Sequence, residues 1–290
     1  MDYHQDRFTD GSLMVYKNET LFAVLPANRK GTQLVSHGGL TYGSFVLQPS
    51  AKLLDAFEAF KKVLTFLSSE GVEQLEIRVI PTFYNLVPSD ELVYFMFKAE
   101  AQLTKRDAIM AIDFSHELGF QKNRREGINK AKRHGLTVKV EDTFESFWNQ
   151  ILVPNLKNKY DETPVHTLAE IESLARQFPQ HIKQVNVYKD DVIVAGTTVF
   201  LTKTTIHPQY VSANADKNTF GSLDFLYDFV INEFKEGRGY FDFNTSSEQN
   251  GKLLNSGLIF WKESCGARTF TCDTYVVDTA KHHSLTIETL

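Results

Sequence analysis

Cysteine is scarce in this 290-residue chain: only Cys265 and Cys272 are present. A secreted disulfide framework carries more. So close in sequence, the two sulfurs meet only across a tight bend, and free structural thiols are expected. No C-x-x-C pair or Cys/His spacing suits zinc, so no metal site is expected. Long apolar runs are missing too. The richest stretches, Leu92–Phe97 and Val192–Leu201, are strand-sized, far short of the roughly 20 residues that span a bilayer. No membrane span is expected. The opening residues, Met1 to Arg7, are polar and lack a signal peptide's apolar centre, which predicts a cytoplasmic protein. Ser-His-Asp spacing, a G-x-S-x-G elbow and a P-loop are all absent, against a common hydrolase or an NTPase. The net charge of −5 excludes a nucleic-acid binder acting through bulk charge.

What is present describes a folded chain. Hydrophobic residues make up 42% and charged residues 23%, which excludes both a mostly disordered chain and a membrane bundle. A single core stops growing near this length, so two domains are expected. The proposed division is 1–115 and 116–290.

Periodicity gives an alternation of strands and helices. Residues 13–25 read as a hairpin turning at Lys17-Asn18-Glu19, and 34–47 as an extended segment rich in glycine. Leu53, Phe57, Phe60, Val63, Leu64 and Leu67 recur at helical spacing within 51–69. Gln74–Ile80, Leu92–Lys98 and Ala108–Phe114 read as strands. In the second half, 117–134 reads as a helix stopped by Gly135, followed by a strand at Leu136–Val140. Helices are expected at Phe144–Leu156, Thr167–Gln177 and 222–236. Strands are expected at Lys183–Tyr188, Val192–Thr202, Thr205–Ala213, Tyr240–Asn244 and Arg268–Val277, with a short helix opening near 251–257. The two halves share an element order, but no residue-level repeat is visible. The class is α/β.

One segment breaks the acidic trend. Residues 121–133 hold Lys122, Arg124, Arg125, Lys130, Lys132 and Arg133 against the single acid Glu126. At 100° per residue, Arg124 alone among these falls with the apolar positions, aimed at a core edge or a cleft. Guanidinium forks match phosphate oxygens. Arg124 and Arg125 are therefore candidate contacts to a phosphate-bearing substrate, set against a merely solvated face.

The pattern Arg125-x-x-Ile128-x-Lys130-Ala131-x-x-x-Gly135-Leu136-x-Val138 resembles the start of the second domain in the Fem-like branch of the GNAT acyltransferase superfamily. Tyr240-Phe-Asp242-Phe-Asn244, followed by Gly257-Leu-Ile-Phe-Trp261-Lys262-x-x-x-Gly266-Ala267, resembles that family's ending. Ser36-His37-Gly38-Gly39-Leu40-Thr41-Tyr42-Gly43 is similar to a first-domain segment of GNAT-like proteins found with surface-polysaccharide genes. The resemblance implies tandem GNAT-like domains with mixed central sheets and a substrate cleft at or near their junction. It implies transfer of an acyl group from a CoA thioester to an amine, or of an aminoacyl group from tRNA to a peptidoglycan precursor. No tightly bound cofactor is implied; acyl-CoA is the expected cosubstrate.

Two departures bear on the donor. No long charged coiled coil of the kind that holds tRNA in the peptidoglycan transferases is visible. The usual pyrophosphate loop, Q/R-x-x-G-x-G/A, is replaced by Asn214-Ala-Asp-Lys-Asn-Thr-Phe-Gly221-Ser222, with one glycine. Backbone N–H groups at that helix start still suit a phosphate.

By this resemblance Lys262 is a candidate cation near the reacting carbonyl, with Trp261 beside it. Asp242 and His37 are candidate proton acceptors. Tyr42, Asn214, Ser222 (with Ser212) and Asn244 are candidate substrate contacts. Each has a purely structural alternative. The leading expectation is an N-acyltransferase using acyl-CoA, its acceptor an amino sugar on a nucleotide carrier. The alternatives are an aminoacyl-tRNA-dependent transferase and a non-catalytic GNAT-like binding module.

Overall fold

The computed structural model describes residues 6–288, apart from the side chain of Tyr160. In chain order its elements are β1 (Leu13–Lys17), β2 (Thr20–Leu25), β3 (Asn28–Lys30), β4 (Gln33–Val35), β5 (Val46–Leu47), α1 (Leu53–Ser69), β6 (Gln74–Arg78), α2 (Glu91–Lys98) and β7 (Gln102–Asp113). There follow α3 (Lys122–Arg133), β8 (Thr137–Glu141), α4 (Glu145–Phe147), α5 (Val153–Tyr160), α6 (Leu168–Gln177), β9 (Ile182–Lys189), β10 (Val192–Leu201) and β11 (Thr205–Ala213). The chain ends with α7 (Lys217–Phe220), α8 (Ser222–Phe234), β12 (Tyr240–Thr245), β13 (Ser247–Glu248), β14 (Leu253–Leu254), α9 (Ser256–Ser264) and β15 (Arg268–Asp278).

These elements form two compact units. One holds Met1–Ala108, Ser247–Leu253 and Thr271–Leu290; the other holds Ile109–Ser246 and Leu254–Phe270. The chain thus leaves the first unit within β7, a few residues before the expected boundary at 115. The expected second segment, 116–290, is corrected at its end. Thr274–Asp278 of β15 pair antiparallel with Gln74–Arg78 of β6. Thr279 Oγ1 donates to the Val72 carbonyl at 2.6 Å, and Leu285 is buried in the first unit's core.

In the first unit a mixed sheet runs β3-β4-β6-β15, with β4 and β6 parallel and the flanking pairs antiparallel. A smaller antiparallel sheet runs β1-β2-β5. The β1–β2 hairpin turns through Asn18 and Glu19, both at positive φ, as a two-residue turn with native twist requires. The apolar stripe of α1 packs Phe57 and Phe60 against Phe95, with Leu64, Leu75 and Ile77 around them. Each such side chain contributes about 1.5–3 kcal/mol on burial.

Leu92–Lys98, expected as a strand, is helical. Leu92, Phe95 and Met96 are buried while Val93, Tyr94 and Phe97 are exposed. That is a spacing of three and four, not two. The exposed side is also apolar, so the sequence hides the period.

The second unit is built on a mixed sheet, β7-β12-β11-β10-β9-β8. The β9–β10 hairpin turns through Asp190 and Asp191, again both at positive φ. α8 lies on this sheet, burying Leu226, Tyr227, Val230 and Ile231. The helix expected from 117 begins at Lys122. Gly119 holds a positive φ and Gln121 N–H donates to the Ser264 carbonyl, so residues 117–121 lie outside the helix. Phe144–Leu156 is helical with a π turn at Trp148–Leu152 between α4 and α5. Such a turn re-aims the side chains that follow it. Cys265 and Cys272 are both free and buried. Among the described residues, no helix is long and apolar enough to cross a membrane.

Candidate active-site cleft

The second unit contains a cleft of about 830 Å³. It opens where the sheet divides. β12 runs parallel to β11 and pairs with it only at Thr205 and Ile206, so the two strands part and Val211, Ser212 and Ala213 of β11 reach the cleft wall. The helices α3, α5, α7, α8 and α9 supply most of the remaining walls.

Two glycines set the approach of α3 to α8. A Cβ on Gly221, which holds φ at +70°, would lie 2.2 Å from the Gly127 carbonyl oxygen. A Cβ on Gly127 would lie 1.9 Å from Asp224 Oδ2. Only glycine fits at either position. Through this crossing Arg124 Nη1 donates to Asp224 Oδ1 at 2.7 Å, both side chains largely buried. Burial pushes the Asp224 carboxyl above its usual pKa; Arg124 and a hydrogen bond from Trp261 act the other way.

Four basic residues line the cleft, Arg124, Lys130, Lys159 and Lys217, against two acids, Glu126 and Asp224. Arg124 and Asp224 neutralise each other, which leaves a net positive wall. Lys130 Nζ donates to the Asn218 carbonyl at 3.0 Å, tying α3 to the start of α7. On the sheet side, Asn155 Nδ2 donates to Ser212 Oγ at 2.8 Å and to the Ala213 carbonyl at 2.7 Å. The Ser212 hydroxyl, accepting from Asn155, keeps its proton for a further acceptor.

The sequence-predicted residues fall in three places. Arg124 and Trp261 line this cleft, as does Ser212. Ser222 and Asn214 lie at the ends of the segment that carries α7. The Ser222 side chain is fully buried and is not part of the cleft wall, and Asn214 Oδ1 accepts from Asp216 N–H. Arg125, expected beside a phosphate, turns away: its Nη1 donates to the Phe120 carbonyl at 2.8 Å, and it does not line the cleft.

The second group is a buried network behind the cleft. Lys262, expected at a reacting carbonyl, is 4% exposed and donates to the carbonyls of Asn244 at 3.0 Å and Thr245 at 2.7 Å. Burial pulls its pKa down to about 8, against the pull of Asp242. Asp242 is fully buried; Oδ2 meets His207 Nδ1 at 3.0 Å and Oδ1 accepts from Asn244 N–H at 2.6 Å. Asn244 holds a φ of 63° where the β12–β7 register slips. Lys262 and Asp242 therefore hold the backbone at Asn244, one on its carbonyl and the other on its N–H. Neither is a cleft-lining side chain, because α9 turns Trp261 toward the cleft and Lys262 inward.

His37 and Tyr42 belong to the first unit. His37 is 2% exposed with φ at 37°, and burial lowers its pKa. The Tyr42 ring lies under the Arg78 guanidinium, 5.4 Å away. Asn155, Lys159, Lys217 and Asp224 were not distinguished by sequence. An acid in the first turn of a helix reads as a dipole partner, and only the fold pairs Asp224 with Arg124.

No protein-family model matches the chain, and no curated protein matches it. Solved structures do. FemX aligns with a TM-score of 0.65 over 93% of this chain and 88% of its own, at 9% identity. L-PGS from Bacillus licheniformis aligns at 0.60 over 92% and 83%, at 16% identity. A tandem GNAT protein from the clavulanic acid biosynthesis pathway aligns at 0.50 over 94% and 85%, at 10% identity. The chain has the fold of the Fem-like and GNAT acyltransferases, with α/β units carrying mixed sheets.

Proposed function

We propose that this protein transfers an acyl group from a phosphate-bearing carrier to an amine, with the second unit's cleft as the donor site. The observation that carries the proposal is the cleft itself: a space of about 830 Å³ opened by the parting of β11 and β12, with Lys130, Lys159 and Lys217 in excess over its acids. A positive wall suits the phosphates of a carrier. The Ser212 hydroxyl, held by Asn155, suits donation to a carbonyl oxygen as negative charge develops there. Asp224, with its raised pKa, suits the role of accepting the amine's proton. The amine nitrogen attacks the carbonyl carbon, the carrier's sulfur or oxygen leaves, and the nitrogen's proton departs. No covalent enzyme intermediate is needed; orientation and electrostatics supply the rate. Lys262 and Asp242 act by holding the backbone at Asn244.

Acyl-CoA remains the leading donor. One observation favours the second reading, aminoacyl-tRNA: the start of α8 is packed against Gly127 and carries Asp224, which disfavours a pyrophosphate seated directly on that helix end. The amino sugar on a nucleotide carrier remains the proposed acceptor under the first reading.

Thermal shifts of the intact chain against acetyl-CoA, longer acyl-CoAs, free CoA and charged tRNA test this. Stabilisation of several degrees by CoA compounds, about 3 °C or more, supports the acyl-CoA reading. Stabilisation by charged tRNA alone transfers the proposal to the second reading. No shift with any of them leaves a non-catalytic module and overturns the proposal.

A further inference from the structure

The first unit has a cavity of its own, about 420 Å³, whose walls are mainly polar. β6 places Glu76 and Arg78 on one face of the strand, two residues apart, so their Cα atoms are about 6.6 Å apart. Opposite charges this close commonly pair. Here they do not. Arg78 Nη2 donates to Asp107 Oδ2 at 3.2 Å, and its guanidinium lies over Tyr42. Lys105 Nζ reaches the same Asp107 oxygen at 2.8 Å. Among the described residues, the Glu76 carboxylate accepts a long bond, 3.4 Å, from Gln33 Nε2.

Two cations on one buried carboxylate leave a surplus positive charge on one wall. Glu76 leaves a negative charge on the other. Arg78, Lys105 and Glu76 all line the cavity, with Thr104 and Asn250 as neutral hydrogen-bonding groups. The remaining wall is a tightly folded loop. His37 holds a positive φ of 37°, and a Cβ on Gly43 would lie 2.2 Å from the Ser36 carbonyl oxygen. Strain of this kind persists where the surrounding structure over-determines the backbone, and it clusters at ligand sites.

We infer that this cavity binds a small zwitterion of the α-amino-acid class, its carboxylate on Arg78 and Lys105 and its ammonium on Glu76. A simple anion would meet the repulsion of Glu76, and a simple amine would meet the Arg78–Lys105 surplus. Only a ligand with both charges answers both walls. This site is independent of the donor cleft in the second unit.

Titration calorimetry of the intact chain with glycine, L-alanine, L-serine, L-glutamate and L-lysine tests the inference. Propionate, ethylamine and inorganic phosphate serve as probes carrying charge of one sign only. At least one amino acid binds about tenfold or more tightly than every one-sign probe, a discrimination of about 1.4 kcal/mol. Glu76→Gln weakens the amino acid about tenfold and leaves propionate no weaker. Lys105→Met, at a partly exposed position whose partner Asp107 keeps its bond from Arg78, weakens both the amino acid and propionate and keeps the test standing if Glu76→Gln fails to fold. Binding also survives Lys159→Ala with Lys217→Ala, which touch only the second unit. Equal or tighter binding of phosphate or propionate overturns the inference, as does silence of all five amino acids at about 10 mM.

Discussion

A methyl group on Gly127 would sit 1.9 Å from Asp224 Oδ2, so these two residues fix how closely α3 and α8 cross. The carboxylate cannot swing aside without releasing Arg124, which holds its other oxygen at 2.7 Å. Gly127→Ala is therefore predicted to destabilise the protein by about 2–3 kcal/mol through overpacking, although alanine favours helices. In an Asp224→Ala background the same change costs at least about 1 kcal/mol less, because the clashing atom is gone. Urea unfolding of the four proteins in this cycle measures the coupling. Additive effects would mean that the two helices relax apart freely.

Lys262 carries a signature in the pH dependence of stability. Its folded pKa is lowered to about 8 from 10.5. Between these values the unfolded chain binds more protons than the folded one, so this group makes stability rise with pH across the window. The penalty for burying its charge is fully present below pH 8 and is relieved as pH climbs toward 10.5. Relative to Lys262→Met, the native protein gains on the order of 3 kcal/mol across that window. Chemical denaturation of both proteins at pH 7.5 and 10 checks the sign; parallel curves would show that the ammonium is not desolvated.

Asp242 accepts from Asn244 N–H and meets His207, with no exposure to solvent. Asp242→Ala strips both groups of that acceptor and is predicted to cost about 3 kcal/mol or more. Asp242→Asn keeps one acceptor oxygen and costs less. A catalytic role for Asp242 at the donor would predict the reverse pattern, with stability preserved in both variants and activity lost in both. Melting curves alongside an activity assay distinguish the two.

The class, the hairpins and most elements were legible in the sequence because alternation and turn residues agreed. Asn18-Glu19 and Asp190-Asp191 sit between apolar runs and take the positive φ that such turns need. Leu92–Lys98 was not legible, since Val93, Tyr94 and Phe97 are exposed yet apolar and erase the helical contrast. The site was readable only in part. Charge on residues 121–133 pointed to a basic wall, and Arg124 and Lys130 line it. Arg125 is captured by a carbonyl five residues back, a local event that charge pattern cannot foresee. Lys262 looked catalytic beside Trp261, but neighbours on a helix face different ways, and only Trp261 faces the cleft. Asp224 lies a hundred residues from Arg124, and nothing in either segment alone announces the pair.

The cleft lysines and the outward arginine make a paired prediction. Lys159→Ala and Lys217→Ala each weaken binding of a phosphate-bearing donor about five- to tenfold, more at low salt than at high. Arg125→Ala, bonded to Phe120 and away from the cleft, leaves donor binding within about twofold. A large effect of Arg125→Ala with none from the lysines would move the phosphate site onto the outer face of α3.

The most direct test is calorimetric titration of acetyl-CoA into the native protein and into the Lys159→Ala, Lys217→Ala double variant. The account predicts one site in the native chain and at least about a tenfold loss of affinity in the variant, with thermal stability unchanged. Acetyl-CoA binding that is identical in both proteins would contradict the assignment of the donor to this cleft.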